Sequence, residues 1–186
     1  MSLVMHAMRA TLIALKCRYA TGMNEFDTLA AAFRTGVGVD AHQFGDSGPC
    51  ALAGLQWADT PRLLGHSDGD AAVHAMCDAV LSACQLGDVG SFFGVAKAEM
   101  AGVSGVEMLK TLREYITSKG FIINNVALQI VGNQPKITLR REEAQKVLSD
   151  ALGAPVSVAA TTSDQMGFTG RGEGIYVIAN ALVRRP

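Results

Sequence analysis

The order of elements along the chain predicts an α/β or α+β domain. Three observations carry that expectation. Three stretches with helical spacing of apolar residues alternate with runs of strand character. Each helical stretch is followed by a glycine suited to closing it, namely Gly87, Gly120 and Gly153. From residue 34 onward no Pro-, Gly- or Ser-rich linker divides the sequence.

The elements follow in order. Arg34–Ala41 (RTGVGVDA) reads as a strand whose glycines invite another backbone to approach closely. Cys50–Leu55 is a second short apolar run, and GHSDGD (65–70) is a loop. A helix is expected from about Asp70 to Cys84, with Ser67 and Asp70 at capping-box spacing and Gly87 as its stop. A glycine-punctuated loop runs from Gly87 to Gly102. A second helix, about Ser104 to Lys119, carries a Ser104/Glu107 capping box and the stripe Val106, Leu109, Leu112, Ile116. Phe121–Val131 is a strand with Val126, Leu128 and Ile130 on one face. A loop with Pro135 leads to a third helix, about Thr138 to Leu152, whose stripe is Ala144, Val147, Leu148 and Ala151. Val156–Thr162 and Gly174–Val183 complete the domain as strands.

Composition narrows the function. The 186 residues carry a net charge of −1, which gives no electrostatic footprint for nucleic acid or an anionic membrane. Hydrophobic residues make up 49% and charged residues 18%, so either the surface is modest in charge or other subunits cover part of the apolar surface. No apolar run reaches the roughly 18 residues of a membrane span. Cys17, Cys50, Cys77 and Cys84 form no CxxC pair, and Cys77 and Cys84 share a helix face as core residues, which fits a reducing cytoplasm.

Residues 1–33 stand apart. MSLVMHAMRATLIALKCRYATGM is basic, rich in Met and Ala, and free of acids. Its apolar stretch Thr11–Leu15 is short for a secretory signal, and the segment is Ser-poor for an organelle presequence. A dispensable or flexible extension is expected, with Met23 as an alternative start and residues 34–186 as the domain proper. A transit role for residues 1–33 would make the location organellar.

Three constellations carry chemistry. In Asp40-Ala41-His42, a carboxylate and an imidazole two residues apart on a strand point to one side and supply two-thirds of a divalent metal site; alone the pair also fits a simple hydrogen bond. In His66-Ser67-Asp68-Gly69-Asp70-Ala71-Ala72-Val73-His74, the spacing of four puts Asp70, His74 and Asp78 on one helical face. A ligating His74 needs a partner on its other ring nitrogen, and Asp70 or Asp78 is placed to supply it. The helix dipole accounts for Asp68 and Asp70 at the N-terminal turn, but not for His74. In Thr161-Thr162-Ser163-Asp164, followed by GFTGRGEG (167–174), hydroxyls, backbone amides and Arg171 gather in a form suited to phosphate oxygens, with Asp164 fit to hold Mg²⁺; a plain turn between strands is the alternative. Gly36-Val37-Gly38 is no dinucleotide motif, because no helix follows it.

In combination, GVDAHQF, GHSDGDAAVHAMCDA, LGDVG, VGNQPKI, APVSVAATTSD and GFTGRGEG resemble the 2-C-methyl-D-erythritol 2,4-cyclodiphosphate synthase family over Arg34–Val183. The resemblance implies a mixed, mostly four-stranded sheet with three helices packed on one face. It also implies a homotrimer with active sites between subunits. Asp40, His42 and His74 would hold Zn²⁺ or another divalent transition metal, and Asp164 would help hold Mg²⁺ or Mn²⁺ on the substrate diphosphate. His66 and Thr162 would stabilise the transition state with Asp164. Ser67, Asp88, Gly90, Phe93, Gly132, Pro135, Lys136, Thr161, Phe168 and Arg171 would line the site of a cytidine diphosphate substrate, with the Gly132–Thr138 loop cradling cytosine. The implied reaction is intramolecular phosphoryl transfer that releases CMP and closes a cyclic diphosphate.

The sequence departs from the family pattern at two places. Val95, Ala96, Lys97 and Ala98 stand where acids and a proline are usual, and Asp164 stands where glutamate is usual. The first departure keeps open a second reading, a catalytically weak trimer that binds metal and a nucleotide or prenyl phosphate. A zinc-only phosphoanhydride hydrolase is a third.

Overall fold

A computed structural model describes residues 25–65, 67–94 and 102–185. Helix α1 (Glu25–Ala32) belongs to a compact unit ending at Phe33, and a second unit runs from Arg34 onward. The second unit contains β1 (Phe33–Gln43, entering from the first), β2 (Cys50–Leu52), β3 (Leu55–Trp57), α2 (Ala71–Cys84), α3 (Gly105–Ser118), β4 (Ile122–Val131), α4 (Arg141–Leu152), β5 (Val156–Thr161), α5 (Gly167–Gly170) and β6 (Gly174–Arg184). A π-helical turn spans Gly90–Gly94 and a 3₁₀ turn spans Ile137–Leu139.

The main sheet has the order β1-β6-β4-β5, with β4 parallel to β5 and antiparallel to β6. Helix α2 packs on β6, α4 packs on β5, and α3 rests against both helices. One face of the sheet is therefore core. Val126, Leu128 and Ile130 of β4 and Ile175, Val177, Ala179, Ala181 and Val183 of β6 are buried there. The alternating residues on the other face stay open, with Val37, Val39 and Ile178 exposed at 58%, 49% and 37%.

Close contact between β1 and α2 depends on two glycines. A Cβ at Gly36 would sit 2.2 Å from the Ala79 carbonyl oxygen, and one at Gly38 would sit 2.1 Å from that of Ala75. Ala75, Ala79 and Ala83 recur at a spacing of four and present a flat helix surface to the strand. The strand can thus lie directly on the helix backbone.

Several expected boundaries shift, each for a local reason. Helix α2 is capped by Asp70 and not by Ser67, because the Asp70 carboxylate accepts from the backbone N–H groups of Ala72 and Val73. It stops at Gln85, which takes the left-handed conformation (φ 58°) and donates to Leu81 and Ser82, two residues before Gly87. The Cys50–Leu55 run is a hairpin, β2 and β3, turning at Ala53 and Gly54 with positive φ at both. Helix α4 begins at Arg141 instead of Thr138. The preceding 3₁₀ turn buries Ile137 and leads to Arg140, which donates to Gln56 O at 2.7 Å and stacks over Trp57.

Asp70 is 1% exposed and also accepts from the N–H groups of Ala53 (2.9 Å) and Gly54 (2.7 Å), so one carboxylate joins the hairpin turn to the start of α2. Replacing it with alanine strands four buried donors. Asp70→Ala is expected to lower unfolding free energy by about 3 kcal/mol in urea titrations; a change under about 0.5 kcal/mol would contradict this role.

Candidate active site

The strand–helix contact brings the first two constellations together. Asp40 and His42 share the helix-facing side of β1, and His74 reaches them from the first turns of α2. Asp40 Oδ2 lies 2.9 Å from His42 Nε2 and 3.0 Å from His74 Nδ1. One ligand atom from each residue falls within 4.8 Å of the others.

Hydrogen bonding decides how the imidazoles face. His42 Nδ1 lies 3.0 Å from the Gly69 carbonyl, which can only accept, so Nδ1 carries a proton. The lone pair of His42 Nε2 is then aimed at a carboxylate oxygen, and two acceptors at 2.9 Å require a positive charge between or on them. A second ring proton or a divalent cation meets that need. The three donor types and their convergence fit a divalent metal ion. Burial is the largest influence on Asp40 and would raise its pKa, yet hydrogen bonds from His42 and His74 with their charge outweigh it and hold the carboxyl far below its usual range. Burial likewise opposes protonation of His42, but the Asp40 hydrogen bond and charge prevail and raise its pKa.

The partners of His74 differ from expectation. Its ring nitrogens meet Asp40 and, at 3.0 Å, the Ser67 hydroxyl. Asp70 is consumed by four backbone donors. Asp78 accepts from Val89 N–H at 2.7 Å and anchors the segment after α2. Neither supports the imidazole, because a buried carboxylate near free N–H groups satisfies those first. Asp68 accepts from Gly105 N–H (2.7 Å) and Asp70 N–H (3.1 Å), latching the 65–70 loop to the start of α3. A backbone carbonyl such as that of Gly69 has no sequence signature, whereas the latch is foreshadowed by the density of Ser, Asp and Gly in GHSDGD.

The substrate-lining expectations divide. Asp88 is exposed and caps the next turn, exchanging hydrogen bonds with Ser91, whose backbone N–H chiefly holds its pKa low. Gly90 begins that turn. Phe93 is a correction: its side chain is buried in the core, edge-on to Phe92, which itself stacks on Tyr115. The 132–138 loop follows β4. There Gly132 N–H bonds to Thr161 O, Asn133 reaches Gly170 O at 2.8 Å, Pro135 is half-buried and Lys136 is exposed. Thr161, Thr162 and Asp164 are exposed beyond β5, Thr162 donates to Asp164 at 3.3 Å, and Asp164 adopts a left-handed conformation (φ 49°). Arg171 pairs with Glu173 at 2.7 Å, and Phe168 is exposed beside it. His66, the Val95–Ala98 loop and residues 1–24 lie outside the described residues.

The metal-ligand candidates and the 132–138, 161–164 and 168–173 segments lie toward one end of the sheet. Phe44 N–H bonds to Glu173 O, Val131 pairs with Tyr176, and Val131 pairs with Thr161. The ends of β1, β4 and β5 therefore meet the start of β6. No thiol is available as a nucleophile among the described residues, since burial pushes Cys50 up to about 12 and Cys84 up to about 11.

Domain architecture and site together define an α/β domain with an Asp-His-His cluster fit for a divalent metal at one end of the sheet. Residues 33–184 match the YgbB family model, and the chain belongs to the YgbB family. It is 53% identical over 153 residues to the 2-C-methyl-D-erythritol 2,4-cyclodiphosphate synthase of Cutibacterium acnes, covering 82% of this chain and 91% of that one. It is 49% identical to the bifunctional enzyme IspD/IspF of Clavibacter michiganensis, with 84% of this chain matching 38% of that longer protein. Among solved structures, the CDP complex of IspF from Plasmodium falciparum superposes with a TM-score of 0.71 at 27% identity, covering 83% of this chain and 97% of that one.

The geometry predicts that His74→Ala abolishes stoichiometric metal. Wild type should carry about one divalent ion per chain on elemental analysis and the variant close to none, with circular dichroism unchanged. Full retention of metal by the variant would exclude His74 as a ligand.

Proposed function

We propose that this protein is a 2-C-methyl-D-erythritol 2,4-cyclodiphosphate synthase, a phosphorus–oxygen lyase that converts 4-diphosphocytidyl-2-C-methyl-D-erythritol 2-phosphate to the cyclic diphosphate and CMP in non-mevalonate isoprenoid synthesis. The observation that carries the reading is the convergence of Asp40, His42 and His74 at the end of the sheet that also bears the 132–138 and 161–164 loops. The family match and the names of the relatives agree with it.

In this reading Asp40, His42 and His74 hold Zn²⁺ or a similar ion, and Asp164 helps hold Mg²⁺ or Mn²⁺. Bound there, the cations supply Lewis-acid charge that screens the phosphates and takes up charge developing on the transferred phosphoryl group. The remaining work belongs to the chain. The exposed Thr162 hydroxyl and His66 orient the diphosphate. Gly132, Pro135 and Lys136 enclose the cytosine, in keeping with the CDP bound by the Plasmodium protein. Asp88, Gly90 and Ser67 border the erythritol end, with Thr161, Phe168 and Arg171 beside the phosphates. Nucleophile and electrophile belong to one substrate, so positioning provides much of the rate. No protein nucleophile is required.

The same reading makes the active unit a homotrimer. Thr162 and Asp164 follow β5, while Asp40 and His42 sit on β1, three strand spacings or roughly 14 Å away. A diphosphate is far shorter than that gap, which favours the two sets meeting across neighbouring subunits as the family resemblance implies. The open, apolar sheet face with Val37, Val39 and Ile178 supplies a surface to bury between copies. Residues 34–186 then act as the catalytic domain and residues 1–33 as an extension, and the buried free thiols suit a reducing cytoplasm.

Phosphorus NMR with Mg²⁺ should follow the substrate to CMP and a cyclic diphosphate in equal amounts; CMP with an open-chain product would make the protein a hydrolase. A second measurement addresses the shared site. Asp40→Ala and Thr162→Ala homotrimers should each be inactive, and co-refolded mixtures should recover about a quarter of wild-type activity, because one site in four then has both residues intact. No recovery in mixtures would place the whole site within one chain.

A further inference from the structure

We propose that Ser67 is a positioning residue for the metal centre: its hydroxyl orients His74 through Nε2 and so presents Nδ1 beside Asp40. This rests on the metal reading above and adds a role for Ser67 distinct from contact with substrate.

Three observations support it. Ser67 Oγ lies 3.0 Å from His74 Nε2, and the opposite ring nitrogen lies 3.0 Å from Asp40 Oδ2, so the imidazole is held along one line by its two nitrogens. Ser67 adopts φ 59°, a left-handed conformation disfavoured for a residue with a Cβ, and this conformation accompanies the turn of its hydroxyl toward the helix. The loop is fixed on its far side by Asp68, which is bound to Gly105 N–H. Ser67 therefore reaches His74 from a latched segment, not from a free strand end.

Hydroxyl chemistry suits the task. Without a cation, His74 Nδ1–H can donate to Asp40 while Nε2 accepts from Ser67. With a cation at Nδ1, the proton must reside on Nε2, which then donates to Ser67. A hydroxyl serves both states because it donates and accepts, whereas a carbonyl serves only the second. His42 has the carbonyl type of partner in Gly69 and is committed to one tautomer. The 65–70 loop thus supplies orienting groups to both histidines, one fixed and one adaptable.

The test compares Ser67→Gly and Ser67→Ala with wild type in full-length protein, using Co²⁺ as the probe. Affinity is read by competition with a chelator and geometry from the visible ligand-field spectrum. Glycine removes the hydroxyl and relieves the backbone; alanine removes the hydroxyl and keeps the strain. Both should bind Co²⁺ about ten- to a hundredfold more weakly, with an altered spectrum. Wild-type affinity in either variant would overturn the role, since loop flexibility alone would weaken only the glycine variant and the strain that alanine shares with wild type would weaken neither. Failure of wild type to take up Co²⁺ would instead overturn the metal reading, and this inference with it.

Discussion

Direct contact between the backbone of β1 and that of α2 governs the site. It requires Gly36 and Gly38 on the strand and Ala75, Ala79 and Ala83 on the helix, because any larger pair would separate the two. Asp40 and His42 follow the glycines on the same strand side, and His74 precedes the alanines on the helix. The packing that forms the core thereby also sets the distance across which three ligand atoms meet. A shift of even an ångström between strand and helix would leave the carboxylate unable to face both imidazoles.

That placement creates an electrostatic demand. The Gly69 carbonyl forces the His42 proton onto Nδ1 and leaves an acceptor facing an acceptor across 2.9 Å. A proton or a cation between the two acceptors relieves this, so the cluster is suited to hold a cation. The lowered pKa of Asp40 and raised pKa of His42 point in the same direction.

Much of this was legible in the sequence, and the misses share a cause. Alternation and spacing located the four long strands and the three long helices, because periodicity reports directly on faces; Asp40-His42 and His74 stood out as two separate groups of donors, and only the resemblance joined them into one set. The hairpin at Cys50–Trp57 was not legible, since its turn, Ala53-Gly54, lacks the usual Asn or Asp signal. The start of α4 shifted because Arg140 has tertiary partners at Gln56 and Trp57, and α2 is capped by Asp70 because its carboxylate takes the local N–H groups of Ala72 and Val73. The support of His74 was misassigned for the same reason, and the Phe93 ring was taken by the core.

The acids around the site raise a further question, since the proposed substrate is itself a polyanion. Four aspartates, at 40, 68, 70 and 78, lie on or beside one helix, yet they do not act alike. Asp68, Asp70 and Asp78 each accept from backbone N–H groups, two for Asp68, four for Asp70 and one for Asp78. Aligned amide dipoles at the start of a helix and in tight turns partly offset a carboxylate's negative potential, so these acids stabilise the scaffold with less repulsion toward a phosphate. Asp40 alone faces the imidazoles, and its charge is absorbed by whatever cation the cluster holds. The acid-rich motif therefore separates into three carboxylates that hold the loop and helix in place and one that binds. This division lets a chain of nearly neutral net charge bring acids close to an anionic substrate while keeping local positive charge where phosphate oxygens would sit.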